Sequence, residues 1–132
     1  MKSIYCFFIF SCAFASFSQT VRESLSIPSR ILGREVKYSI YIPKGYDNSS
    51  RRFPVLYLLH GYSDNEMGWT QFGEVEDIAN NTIEKGEATP MLIAMPDAAV
   101  TWYINDVGGK NRYEDFFIQE FIPFIDSMYR TR

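Results

Sequence analysis

The sequence predicts an α/β fold: a mostly parallel sheet with an antiparallel hairpin at one edge and flanking helices. Two short, continuous apolar runs, residues 53–60 and 91–96, are typical of strands buried on both faces. A segment with helical periodicity separates these runs, and a second such segment follows them. Buried strands that alternate with helices indicate parallel pairing, with the helices covering the sheet.

Length and composition limit the functional classes. The chain has 132 residues, of which 46% are hydrophobic and 17% aromatic, so it suits one small domain or part of a larger one. Its formal net charge is −3. Without an excess of basic residues it offers no basic face for phosphates, so no nucleic-acid partner is expected.

Residues 1–18 have the pattern of a secretory signal peptide. Lys2 precedes an apolar run interrupted only by Ser11, and small residues follow. The run is too short to span a membrane. Cleavage after Ala15 is possible, but cleavage after Ser18 is preferred. It leaves residues 19–132 as a secreted or periplasmic partial domain without cysteine. Two alternatives are a lipoprotein anchored through Cys12 and a buried N-terminal helix.

The first half of the remaining chain predicts a hairpin. Residues 21–27 alternate weakly and end at Pro28, and residues 35–43 alternate clearly between apolar and polar side chains. A turn that contains Gly33 joins the two segments, as in an antiparallel hairpin.

The second half predicts two units of strand and helix. After the strand at 53–60 and a polar loop, apolar residues from Val75 to Ile83 recur with helical spacing, and this helix stops near Gly86. A strand at 91–96 and a long loop at 97–112 lead to a helix at 113–129, which Pro123 should kink or restart. In such a sheet we expect one more strand, which would begin where the chain ends.

The strongest local signal for chemistry follows the first buried strand. His60, Gly61 and Tyr62 stand at its carboxyl end, the edge of an open α/β sheet where ligands bind. We expect Gly61 to permit a backbone conformation that a side chain would forbid. The backbone N–H of Tyr62 is then the candidate donor for an oxyanion hole.

These residues belong to a longer resemblance. The strings YLLHGYSDNEMGW, MPDA, WY and YEDFFIQEFIPFIDSMYRTR together resemble the N-terminal half of the esterase-D-type α/β-hydrolases. That group includes secreted feruloyl and acetyl-xylan esterases, S-formylglutathione hydrolases and mycolyltransferases. The resemblance covers residues 21–132 and implies a Ser-His-Asp mechanism without a cofactor, on small-molecule or polysaccharide esters.

The chain also departs from that family. Members carry a Gly-x-Ser-x-Gly elbow just after the helix that matches residues 113–129, and this sequence has none. Its single histidine, His60, matches the oxyanion loop rather than the triad. The resemblance therefore implies a fragment truncated before the nucleophile strand and inactive alone, from an esterase of acylated carbohydrates. The alternatives are a noncatalytic secreted carbohydrate-binding or interaction domain and an acyltransferase of the same fold.

The candidate substrate-binding residues are His60, Trp69, Trp102 and Tyr103, all expected near the same edge of the sheet. The aromatic residues could form a platform for a sugar or a phenolic acyl group, or could simply pack within their loops. His60 is expected to brace the loop rather than to act as a base, which leaves little support for Ser63 as a nucleophile.

The acidic residues of the second half raise the possibility of a metal site. It would use Asp97, Asp106, Glu114 and Asp115, whose spacing matches no metal-binding loop. Glu114 and Asp115 suit the first turn of a helix instead. No metal or other cofactor is therefore expected.

Overall fold

A computed structural model describes residues 20–132, so the predicted signal peptide at 1–18 lies outside the described residues. The described part contains one mixed sheet with the strand order β1-β2-β4-β3. Its strands are β1 (Val21–Ser29), β2 (Arg34–Tyr41), β3 (Val55–Tyr57) and β4 (Leu92–Pro96).

The hairpin predicted at the edge is confirmed. β1 and β2 pair antiparallel, with Ile27 opposite Val36. Gly33 ends the connecting turn with a φ of 64°, a left-handed conformation that glycine adopts without a steric penalty. Ser24 has a φ of 51° where the register shifts, so β1 carries a bulge.

β4 is the central strand. It pairs antiparallel with β2, where Ala94 lies opposite Ile40, and parallel with β3, where Ile93 lies opposite Leu56. All five of its residues are buried. The continuous apolar run at 91–96 therefore predicted correctly a strand covered on both faces.

The same expectation for residues 53–60 is wrong. β3 has only three residues, and Leu56 in its middle is 43% exposed. The reason is its place in the sheet, since β4 flanks one side and no described strand pairs with β3 on the other. In the described part of the chain, only Phe53, just before β3, has a backbone partner on that side. Its N–H donates to the Arg130 carbonyl (2.8 Å), and its own carbonyl accepts from the Arg132 N–H (3.0 Å).

Four α-helices of residues 20–132 accompany the sheet. They are α1 (Gly68–Gln71), α2 (Val75–Glu84), α3 (Tyr113–Phe116) and α4 (Ile122–Met128). The periodicity predicted α2 correctly, whereas the single turn α1 was not predicted. A π-helical turn (Phe117–Phe121) joins α3 to α4, and in it the Ile122 N–H donates to the carbonyl of Phe117, five residues earlier.

Pro123 explains where this irregularity lies. It has no N–H to donate to the carbonyl four residues before it, and its ring clashes with that carbonyl in a regular α-helix. The wider turn directly before it relieves the conflict, and α4 then starts with proline in its first turn, where the missing N–H costs nothing. The predicted interruption of the helix at 113–129 is thus confirmed.

The helices cover both faces of the sheet, as the sequence predicted. α3, the π-helical turn and α4 bury Tyr113, Phe116, Phe121 and Ile125 against one face. On the other face Val75, Ala79 and Ile83 of α2 pack over β4. Neighbouring residues of β4 supply the two faces in alternation, since successive side chains of a strand point in opposite directions.

Candidate active site

Two loops meet at the carboxyl edge of the sheet. The loop after β3 begins near His60, and the loop after β4 begins at Asp97. Because β3 and β4 are parallel neighbours, both loops leave the sheet at the same edge. The candidate oxyanion and substrate-binding residues lie in these two loops, except Trp69, which lies in α1.

His60 ties the two loops together. Its side chain is 1% exposed, and its Nε2 accepts a hydrogen bond from the Ala98 N–H (2.9 Å). That assignment places the ring proton on Nδ1, which donates to the Gly61 carbonyl (2.7 Å). Because backbone groups occupy both ring nitrogens, the ring braces the loops and offers no base to Ser63.

Tyr103, in the loop after β4, also holds the backbone of His60 in place. Its hydroxyl oxygen accepts from the His60 N–H (2.8 Å), and the hydroxyl lies 3.2 Å from the His60 carbonyl, to which it donates. Burial raises the pKa of this hydroxyl to about 12, which keeps it a neutral donor. Tyr113 lies behind it and donates its own hydroxyl to the Asp97 carbonyl (2.9 Å).

Backbone strain is concentrated in the same loops. Ser63, Ala99 and Tyr103 have φ angles of 64°, 49° and 61°, in the left-handed region that residues with a Cβ rarely adopt. Such residues persist only where the surrounding contacts determine the conformation, and they cluster at functional sites.

Tyr62 has an available backbone donor. Its N–H donates to no atom of residues 20–132, whereas the N–H of Asp64 closes a turn onto the Gly61 carbonyl (3.2 Å). The expectation that Gly61 adopts a backbone conformation forbidden to other residues is wrong. Gly61 does not have a positive φ, and a Cβ built there would meet no atom within 4 Å.

The candidate aromatic residues have different surroundings. Trp69 donates its indole N–H to the Leu59 carbonyl (3.0 Å), and Tyr103 is engaged with His60, so both are held by backbone groups. Trp102 is 71% exposed and stacks on the ring of Tyr62, with centroids 5.3 Å apart. Sequence reasoning considered only the backbone of Tyr62 and missed its ring.

The acidic residues do not converge. Asp115 pairs with Arg112 (2.6 Å), and hydrogen bonds with Asn105 and Arg112 lower the pKa of its carboxyl. Asp97 accepts the Ala99 N–H (2.7 Å) and lies 3.5 Å from His60 Nε2. Across residues 20–132 no group of three or more His, Cys, Asp or Glu side chains is arranged to hold a metal ion.

Comparison with known sequences identifies relatives. The model of the Esterase family matches residues 29–132. The chain is 32% identical over 117 residues to an endo-1,4-beta-xylanase/feruloyl esterase of Xylanibacter ruminicola, a match that covers 83% of this chain and 16% of that protein. An esterase of Mycobacterium tuberculosis is 32% identical over 98 residues, which are 70% of this chain and 20% of that esterase.

Solved structures of esterases also superimpose on this chain. A ferulic acid esterase superimposes with a TM-score of 0.77 at 32% identity, over 84% of this chain and 45% of its own. An S-formylglutathione hydrolase from Agrobacterium tumefaciens shares the fold, with a TM-score of 0.66 at 15% identity, over 85% of this chain and 44% of its own.

The chain thus spans less than half of these solved relatives, and a fifth or less of the curated ones. The family match nevertheless includes the loops of the candidate site and every strand except most of β1. This chain belongs to the Esterase family and has the fold of the N-terminal part of an α/β-hydrolase.

Proposed function

We propose that the two loops after β3 and β4 form the oxyanion side of the active site in a carboxylic-ester hydrolase. The substrates of this hydrolase are acyl esters of carbohydrate. The family match supports the ester-hydrolase class. The carbohydrate ester is supported by the relatives described as a xylanase/feruloyl esterase and as a ferulic acid esterase.

In such a reaction a serine attacks the ester carbonyl, and the carbonyl oxygen becomes an anion that two backbone N–H groups stabilise. We assign one donor to Tyr62. The second donor, which follows the nucleophile in α/β-hydrolases, belongs to a Gly-x-Ser-x-Gly elbow that these 132 residues do not contain. We therefore assign this chain one donor and part of the pocket wall.

The observation that carries the proposal is the backbone of Tyr62. Its N–H is unpaired within residues 20–132, while His60, directly before Gly61, is fixed by three hydrogen bonds of 2.9 Å or less. A donor that stabilises charge in a transition state must be held in place before the reaction, and this loop meets that requirement.

The test removes that donor and controls for the loss of the Tyr62 ring. Residues 20–132 are joined to the C-terminal half of the ferulic acid esterase with 32% identity, and hydrolysis of methyl ferulate and acetylated xylan is measured. Tyr62→Pro, which has no N–H, should lower kcat by about 10²–10³, the effect of one lost oxyanion donor. Tyr62→Ala also lacks the ring that stacks on Trp102 but keeps the N–H, so it should retain kcat. An equal kcat in both folded variants would contradict the role of the Tyr62 N–H.

The exposed stack of Tyr62 and Trp102 favours a second candidate function, a noncatalytic carbohydrate-binding domain. It would bind saccharide without contributing to ester hydrolysis. If the joined protein hydrolyses neither ester and still binds saccharide, the second function is supported instead.

We further propose export with removal of the first 15–18 residues, which rests on the apolar run at 4–14 and the small residues behind it. The relatives do not bear on this step. Of the helices in residues 20–132, none is long and apolar enough to cross a membrane.

A further inference from the structure

The loop after β4 carries a cavity on its exposed side. The proposed oxyanion hole does not involve this cavity. Its volume is about 240 Å³. The side chain of Trp102 forms part of its wall while stacking on Tyr62. The lining residues are Val100, Thr101, Trp102, Ile104, Asp106 and Asn111.

The loop that forms this cavity is internally braced. The Asp106 N–H donates to the Asn111 carbonyl (2.9 Å), and Gly109 has a φ of 68° in the turn between them. The backbone bridge between Asn105 and Arg112 continues this small hairpin toward α3. The cavity therefore has a defined shape. This reduces the conformational entropy that the loop loses when a ligand binds.

Two polar side chains of the cavity are not engaged in hydrogen bonds within the described residues. Among the hydrogen bonds of residues 20–132, none involves the side chains of Asp106 or Asn111. The carboxylate can accept hydrogen bonds, and the amide can both donate and accept them. Beside them, the open face of Trp102 provides a flat apolar surface.

We propose that this cavity binds a neutral pyranose ring of a polysaccharide, with the C–H face of the sugar on Trp102 and its hydroxyls on Asp106 and Asn111. This inference rests on the proposed function, because it assigns the cavity to the alcohol side of the ester. The same stack reaches Tyr62, so a bound sugar lies next to the residue that supplies the oxyanion donor.

A phenolic acyl group fits this cavity less well. Pockets for flat aromatic ligands enclose most of the ligand surface in apolar walls. Here the lining includes a carboxylate, an amide and a hydroxyl, and Trp102 is 71% exposed. A sugar has one apolar face and a rim of hydroxyls, so it matches a single open indole face that polar groups flank.

Tryptophan fluorescence of the full 132-residue chain tests this directly, with xylotetraose as the probe. In Trp69→Phe, Trp102 is the only remaining indole, and we expect a saturable change of its emission on titration. Calorimetry with the same probe should show affinity lowered about tenfold by Trp102→Leu and retained in Trp102→Phe, which keeps an aromatic face.

Two further variants separate the cavity from its surroundings. Asp106→Ala should weaken xylotetraose binding. Phe72→Ala, at an aromatic residue that is 82% exposed and lies outside the cavity, should leave it unchanged. Binding that is unaffected by Trp102→Leu and Asp106→Ala would overturn the inference, as would a saturable response to methyl ferulate without any response to xylotetraose. Because binding is measured without hydrolysis, a failed esterase assay does not decide this result.

Discussion

At the scale of single residues, Gly61 and Gly33 form a matched pair. Neither has an atom within 4 Å of the position that a Cβ would occupy, but only Gly33 has a positive φ, of 64°. Gly61→Ala should therefore raise the free energy of unfolding by about 0.4–1 kcal/mol, because alanine restricts the unfolded chain. Gly33→Ala should lower it by about 1–2 kcal/mol through left-handed strain. Urea unfolding measures both, and a destabilised Gly61→Ala would show that position 61 requires glycine for folding.

Tyr103 is the residue whose loss should loosen the candidate site most directly. Tyr103→Phe leaves the buried His60 N–H without its acceptor, so we expect a loss of about 1–3 kcal/mol in the free energy of unfolding and faster amide exchange at His60. Tyr57→Phe is the control, since burial also raises the pKa of Tyr57 to about 12 while its hydroxyl does not contact His60. Equal exchange at His60 in both variants would contradict this role.

The residues of the site show how far sequence reasoning reached. The position of His60 just after a strand could be predicted, because an apolar run stops there. Its contact with Ala98 and the stack of Tyr62 on Trp102 were not, since each joins residues about 40 positions apart. Only the parallel pairing of β3 with β4 brings those loops together. Local spacing therefore predicted that these residues follow two strands, but not the contacts between them.

At the scale of elements, Glu120 links the π-helical turn to the hairpin. Its carboxylate accepts the Ser29 hydroxyl (2.6 Å) and the N–H groups of Arg30 (3.1 Å) and Ile31 (3.3 Å). Glu120→Ala should lower the free energy of unfolding by about 1.5–3 kcal/mol, the range for hydrogen bonds to a charged group. Glu114→Ala, at an exposed residue of α3, is the matched control and should change it little. If chemical denaturation shows the same loss of unfolding free energy in both variants, Glu120 does not stabilise the contact between the π-helical turn and the hairpin.

Elements were predicted better by type than by extent. Periodicity located α2 to within a few residues, because its apolar stripe is decided by local spacing. The apolar run at 53–60 suggested a long buried strand, yet only three of its residues pair as β3. A strand's length depends on its neighbours in the sheet, and composition does not contain that information.

At the scale of the whole molecule, the outer edge of β3 should make the chain associate. Pro54 and Leu58 direct their backbone groups to β4, so by the alternation of a strand those of Val55 and Tyr57 face the other side, where no described strand pairs with them. Light scattering coupled to size exclusion should detect oligomers that grow with concentration.

Substitutions can localise this association. Leu56→Lys places a charge on the edge strand, at a residue that is 43% exposed, and should shift the chain toward monomer. Ile118→Lys, at a residue 55% exposed in the π-helical turn, should not. A sharp monomer peak for the unmodified chain, with cooperative thermal unfolding, would instead show a self-sufficient domain.

Buried tyrosines should make the fold sensitive to alkali. Burial raises the pKa of Tyr41, Tyr57 and Tyr103 from 10.0 to about 12. Because the folded state favours the neutral phenol, this stabilisation is complete below pH 10 and is lost as the pH rises from 10 through 12. The urea midpoint should fall over that interval. A urea midpoint that stays constant from pH 10 to pH 12 would contradict this.

The strand order has a consequence for synthesis on the ribosome. β4 lies between β2 and β3, although it follows both along the chain. The β1–β2 hairpin can close as soon as it emerges, but β3 has no partner until β4 is translated about 40 residues later. At typical elongation rates β3 therefore waits for about 2–8 s with both edges open. During that interval the nascent chain depends on translation speed and on whatever shields an unpaired strand.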